Sequence, residues 1–211
     1  MLNQILLAGK IVEEPTIKKA DNEEEYYSMK IAIAKGYSCK KENNTIELAI
    51  EDENFDKIME NFKKDKVVGL RGEVVARIID GKTISQVKPD VIEIMDEGKE
   101  IKENNDMFNK VVLVGKILSI NESIDKNIPS SFTMTHTDKK NNVLSYDCVI
   151  SDNTAQKMTE YCNIGSIVGI NGHIESNEQS GFSIVSERVS FLSEAKKDKE
   201  TKEDKELENE I

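Results

Sequence analysis

Apolar residues along the first half of the chain fall at every second position or in short runs closed off by turn residues. This is the signature of half-buried β-strands. The pattern predicts strands at about 4–12, 27–35, 45–51, 67–79 and 83–95, and the second half repeats the series near 110–118, 130–137, 143–151, 166–176 and 181–192. Between the third and fourth strand of each series the period lengthens. Phe55, Ile58, Met59 and Phe62 stand at i, i+3, i+4 and i+7, and Ala155, Met158 and Cys162 hold the matching places, so one short helix is expected in each series. Asn54 and Asn153 are the expected N-caps, because their side chains can accept from the free amides of a first turn.

The two series are copies of one another. Met1-Leu-Asn-Gln-Ile-Leu-Leu-Ala-Gly-Lys-Ile11 aligns without gaps on Met107-Phe-Asn-Lys-Val-Val-Leu-Val-Gly-Lys-Ile117, with identity at Met, Asn, Leu, Gly, Lys and Ile. A second match joins Lys66-Val-Val-Gly-Leu-Arg-Gly-Glu-Val74 to Ser166-Ile-Val-Gly-Ile-Asn-Gly-His-Ile174 and keeps both glycines. Each copy ends in a similar apolar strand, Val91 to Met95 and Val189 to Leu192. Order and spacing hold together, so the expected organisation is two related domains in tandem.

Five strands with a helix between the third and fourth is the element order of the OB-fold, a small, partly open β-barrel. The expected fold class is therefore all-β, with two tandem OB-fold barrels. Gly9 and Gly115 interrupt the first strand and Gly72 and Gly172 the fourth, where a closing barrel needs bends or bulges. The expected boundaries are 1–96 for the first domain, 97–106 for a linker, 107–193 for the second domain and 194–211 for a tail.

Charge sharpens those boundaries. More than half of the net charge of −11 lies in two short segments, 96–106 and 194–211, which are too polar to offset the entropy of ordering them. The first reads as an acidic linker and the second as a disordered acidic tail, and each body they leave is close to charge-balanced. The 211 residues contain no apolar run of membrane-spanning length and no basic leader before the first apolar stretch, so no membrane association is expected and the expected location is cytoplasmic. Cys39, Cys148 and Cys162 are odd in number and lack metal-ligand spacing, so they read as free thiols, with no disulfide or metal site.

On these motifs the chain resembles the bacterial single-stranded DNA-binding protein family. The opening strand, followed by Glu14 and Pro15, is similar to that family's start. Met29-Lys-Ile-Ala-Ile-Ala34 is similar to its second strand and Lys66 to Val74 to its fourth; in copy two Phe132-Thr-Met-Thr-His-Thr137 stands for the second strand. The resemblance covers about 180 of the 211 residues. It implies single-stranded DNA as partner, bound by four OB domains, and therefore a homodimer of this two-domain chain. It also implies that the acidic tail, here ending Glu206-Leu-Glu-Asn-Glu-Ile211, docks replication or repair proteins, although the family's Pro-Phe ending is absent.

Binding a single strand without sequence preference needs rings for bases to stack on and cations to follow the phosphates. The family's stacking positions fall near Tyr37, Thr45, Glu51 and Ile79 in copy one, of which only Tyr37 is aromatic, and near Lys140, Ser145, Ser151 and Asn177 in copy two, with Tyr146 and Phe182 close by. Tyr26 and Tyr27 read as core or edge packing. The cations are better supplied. Lys10, Lys30, Lys35, Lys40, Lys41, Arg71, Arg77, Lys82 and Lys88 lie on or beside the strands of copy one, and Lys110, Lys116, Lys139, Lys140 and Arg188 on those of copy two. The expected nucleic-acid-binding set is Lys10, Lys35, Tyr37, Lys40, Lys41, Arg71, Arg77, Lys82, Lys116, Lys140, Tyr146 and Phe182.

No catalytic constellation accompanies these residues. His136 and His173 lie in different strands without partners at metal-ligand spacing, and Gly69-Leu-Arg-Gly72 leads into a strand where a phosphate-cradling loop would open a helix. The expectation is a non-catalytic binder of single-stranded DNA that needs no cofactor and serves replication, recombination or DNA transfer. The alternative is an OB-fold scaffold that binds little or no DNA and acts through protein contacts.

Overall fold

The alternation seen in the sequence becomes alternate burial. In the strand Thr45–Ile50, Ile46 and Leu48 face inward between the half-exposed Thr45 and Glu47. The computed structural model describes residues 1–33, 44–51, 55, 59–95, 108–123, 129–137 and 143–193. Its first five strands are β1 (Asn3–Lys19), β2 (Glu25–Ile33), β3 (Thr45–Ile50), β4 (Val67–Ile79) and β5 (Lys82–Ile94). β1 pairs antiparallel with β2 and β4, β2 with β3 and β4 with β5, while β3 meets β5 in parallel at Leu48 and Val87. The five strands thereby close on themselves as a barrel.

The remaining strands are β6 (Asn109–Asn121), β7 (Ser130–Thr137), β8 (Val143–Ile150), β9 (Ile167–Asn177) and β10 (Gly181–Ser193). They pair in the same cyclic order, with a parallel contact between β8 and β10. β1 and β6 also pair antiparallel, from Asn3 opposite Leu113 to Leu7 opposite Asn109, which joins all ten strands into one continuous sheet. Buried side chains from both halves form a single apolar cluster that includes Ile5, Leu7, Leu48, Val74, Val111, Leu113, Phe132 and Ile170. Each such side chain contributes on the order of 1.5–3 kcal/mol by leaving water. Among the described residues no helix is long and apolar enough to cross a membrane.

The barrel's first strand runs further than the pattern predicts. It continues through Pro15 to Lys19 and pairs there with β2 alone, past two register shifts, from Thr16 opposite Ser28 to Lys19 opposite Glu25. Most of this arm's β1 positions are exposed, so no hydrophobic period marks it. The helix between the third and fourth strands of the second half, α1 (Asp152–Tyr161), buries Ala155 and Met158 as expected. Its N-cap is Ser151 rather than Asn153. The Ser151 hydroxyl accepts from the Thr154 amide, and Asn153 lies two residues too late, inside the helix. In the first half, the described residues of the corresponding segment include a 3-10 turn, Met59–Asn61, between buried Phe55 and Phe62; the Phe55 ring lies tilted against both Tyr27 and Phe62. Asn54 lies outside the described residues.

Two asparagines, one per half, take over where a strand ladder runs out. β1 pairs with β4 only as far as Ile5 opposite Gly72. Beyond it, Asn3 Nδ2 donates to the Val74 carbonyl (2.8 Å) while the Val74 amide donates to Asn3 Oδ1 (2.9 Å). Asn109 repeats both bonds with Ile174, at 2.9 and 3.0 Å. A carboxamide carries one acceptor and a donor pair on a short stem, so it stands in for a missing peptide unit. Tyr146 ties the halves together at the same place, donating its hydroxyl to the Val74 carbonyl (2.8 Å). Gly72 and Gly172 sit at the bulges of the β4–β5 and β9–β10 pairs, where an added Cβ would run into the carbonyl oxygens of Lys88 and Val185.

Candidate nucleic-acid interface

A groove of about 930 Å³ opens on the first barrel, beside the β1–β2 turn and the upper part of β4 and β5. Its charged lining comprises Asp21, Glu24, Glu51, Glu73, Arg77, Lys88 and Asp90. Arg77 is its buried cation. Its side chain is only 9% exposed, and the guanidinium lies 4.9 Å from the centre of the Tyr26 ring. Beneath the ring Tyr26 is held in a polar network: Gln86 Nε2 donates to the Tyr26 hydroxyl (3.3 Å) and to Glu47 Oε1 (2.8 Å), and Lys18 pairs with Glu47 (3.0 Å).

Glu51, the first residue after β3, bridges two cations. Its Oε1 accepts from Arg77 Nη2 and its Oε2 from Lys88 Nζ, while Arg77 Nη1 lies 3.6 Å from Glu24. Burial works to raise the Glu51 carboxyl, but the hydrogen bond from Lys88 and the positive charges of Arg77 and Lys88 outweigh it, and the group is held below its ordinary value. It is therefore a carboxylate at neutral pH.

The other expected cations of the first barrel are engaged in the same way. Arg71 forms a forked pair with Asp90 across β4 and β5 (3.0 and 3.1 Å), Lys10 pairs with Asp65 (3.1 Å), and Lys30 with Glu13 (3.0 Å). Lys82, at the start of β5, and Lys116, on β6, are exposed and make no ion pair among the described residues. Lys35, Tyr37, Lys40, Lys41, Lys139 and Lys140 lie outside the described residues.

Two expected stacking residues are corrected by the structure. Tyr146 is 2% exposed, with its ring in the core and its hydroxyl spent on Val74, and Phe182 is 3% exposed. Both are inward members of their strands, so neither ring can meet a base. Arg77 is likewise no open phosphate contact, because it is covered by its own acidic partners. Glu51 was visible in the sequence only as a gap in the aromatic set. Its partnership with Arg77 and Lys88 depends on the closure of β3 against β5, which no local pattern encodes. Of the two histidines, His136 contacts the Val114 carbonyl (3.3 Å), and His173 lies between Glu187 (2.8 Å) and Glu175 (3.3 Å).

No family model matches the chain, and no curated protein matches it either. Among solved structures, a deletion mutant of the single-stranded DNA binding protein from Thermus aquaticus superposes with a TM-score of 0.72 at 13% identity, covering 94% of this chain and 98% of that one. The wild-type protein from the same organism gives 0.68 at 11% identity, over 92% and 94% of the two chains. At such identities the likeness is one of fold, and it extends over nearly the whole length of both molecules.

Proposed function

We propose that the protein binds single-stranded DNA, without catalysis and with little sequence preference, through two OB-fold barrels arranged in tandem. The observation that carries this reading is the shared fold over nearly the full length of both chains with a Thermus aquaticus protein that is itself a single-stranded DNA binding protein. A groove beside the β1–β2 and β4–β5 turns of the first barrel supports it, because OB-folds take oligonucleotides on that side. The processes served are replication, recombination or DNA transfer, in the cytoplasm, with the acidic tail as a dock for replication or repair proteins.

We also propose a homodimer with four OB domains. Cross-strand partners project from the same face, and the register lines up Val91, Arg71, Leu6 and Lys110 across β5, β4, β1 and β6. Val91 and Leu6 are exposed there, as are Leu2 and Phe108 at the ends of the paired strands, so this outer face offers apolar surface to a second copy.

A second reading is favoured by a different observation. The groove's cations are already neutralised within the chain, and no aromatic ring among the described stacking positions is exposed. That combination suits a scaffold which binds little DNA and works through protein contacts. Fluorescence anisotropy of a labelled oligo-dT of about 35 nucleotides, at low and moderate salt with duplex as control, separates the two. Saturable binding that prefers the single strand and weakens with salt is the expected result. No binding even at low salt would leave the scaffold reading.

A further inference from the structure

We infer that the Glu51 carboxylate occupies the place of a nucleic-acid phosphate on the first barrel, so that a strand is bound there by exchange of one anion for another and Glu51 sets the affinity. This deepens the DNA-binding reading and rests on it.

The geometry of the trio carries the inference. One oxygen of Glu51 is held by Arg77 Nη2 and the other by Lys88 Nζ, which is how two non-bridging oxygens of a phosphodiester would be held by the same pair. The cationic side does not depend on Glu51 for its position. Arg77 is fixed by the Tyr26 ring beneath it and by Glu24 at its other nitrogen, so removing the carboxylate leaves a preorganised guanidinium. The anionic side is reachable. Glu51 and Lys88 are 30% and 37% exposed, whereas Arg77 is shielded until Glu51 moves aside.

Among the described residues the arrangement occurs once, although the strands occur twice. Ile50 opposes Tyr27 in the first half as Ile150 opposes Ser130 in the second, so Glu51 corresponds to Ser151. Val74 and Ile174 take the same asparagine bonds, which places Asn177 where the first half has Arg77. Ser151 caps α1 and Asn177 bonds Ser183 (2.9 Å), so the second half holds neither the cation nor its internal anion at these positions. The exchange belongs to the first barrel alone.

The test compares the full-length wild type with Glu51→Gln, using the oligo-dT of about 35 nucleotides and anisotropy over a range of salt. Glu51→Gln keeps the shape of the side chain but gives up its charge, and is expected to bind about tenfold tighter at low salt, the scale of one charged hydrogen bond. The slope of log affinity against log salt should steepen by about 0.7, because no displaced carboxylate takes up a cation in place of the one that the phosphate releases. Adding Lys88→Met should return most of the gain. Glu51→Ser, which borrows the residue of the second half, is a second route to the same result if the amide disturbs folding, and thermal melting of each variant verifies the fold. Wild-type binding with both Glu51 variants unchanged in affinity and slope overturns the inference and leaves the DNA-binding reading intact. Silence from the wild type and both variants overturns the two together. A silent wild type with a binding Glu51→Gln upholds the exchange and gives the native chain the scaffold role.

Discussion

Replacing Asn3 with alanine should weaken the fold well beyond what an ordinary surface asparagine would cost. The substitution removes two hydrogen bonds at once, the 2.8 Å bond to the Val74 carbonyl and the 2.9 Å bond from the Val74 amide. Their fates differ. The carbonyl keeps the Tyr146 hydroxyl, whereas the amide of Val74, a residue with no exposed surface, is left without the acceptor that Asn3 supplied. Two net bonds of about 1 kcal/mol each, together with part of the penalty for a stranded buried amide, come to about 2–4 kcal/mol. A chain of this size loses about 2–4 °C of midpoint per kcal/mol, so the expected fall is roughly 5–15 °C. Tyr146→Phe supplies an internal comparison, because it removes only the second bond to that carbonyl and leaves Asn3 in place; it should cost about 1 kcal/mol. Thermal unfolding followed by circular dichroism reads both. A midpoint for Asn3→Ala within about 2 °C of wild type, or a larger loss for Tyr146→Phe than for Asn3→Ala, would refute the view that Asn3 completes the ladder.

Gly172→Ala should leave little soluble protein, or a midpoint lower by about 10 °C, because the new methyl meets the Val185 carbonyl across the bulge and neither backbone can retreat without breaking pairs; a soluble yield and midpoint equal to wild type would show that the β9–β10 bulge gives way freely. In solution the chain should have the mass of a dimer by light scattering, and Leu6→Glu should shift it to a monomer while the circular dichroism spectrum stays the same; a wild-type mass of about 24 kDa would rule the dimer out.

The strands were legible because each carries its own period. The pattern places β4 at 67–79 and β7 at 130–137, and the structure has them at those bounds. The outer arm of β1 was not legible, since it is held by pairing with β2 and leaves most of its β1 side chains in water. Tyr146 shows the limit for single side chains. Alternation along the strand sets it on one face with Cys148 and Ile150, and all three are buried, but the partner that consumes its hydroxyl is 72 residues away. The candidate site was the least legible part. A lysine or arginine on a strand announces a charge but not the acid it will face, and the partners of Arg71, Arg77 and Lys88 are set by register across barrel pairs. The spacing of Asn3 and Asn109 ahead of their glycines was visible as a repeat, and only the closed ladder explains why the residue is asparagine.

The pairing of β1 with β6 has a bearing on how anything else can attach to this molecule. An isolated sheet ends in two rows of unanswered amides and carbonyls, an invitation for a foreign strand to add itself. Here β1 to β5 close on one another, and Asn3 to Leu7 of β1 is answered on its further side by β6, while the outer arm of β1, paired with β2 alone, keeps one open row. Among the described residues the main chain is thus largely spoken for. Away from the outer arm of β1, a partner is recognised by side chains, on a face or through a turn, and recognition by side chains can be retuned one residue at a time without disturbing the backbone beneath.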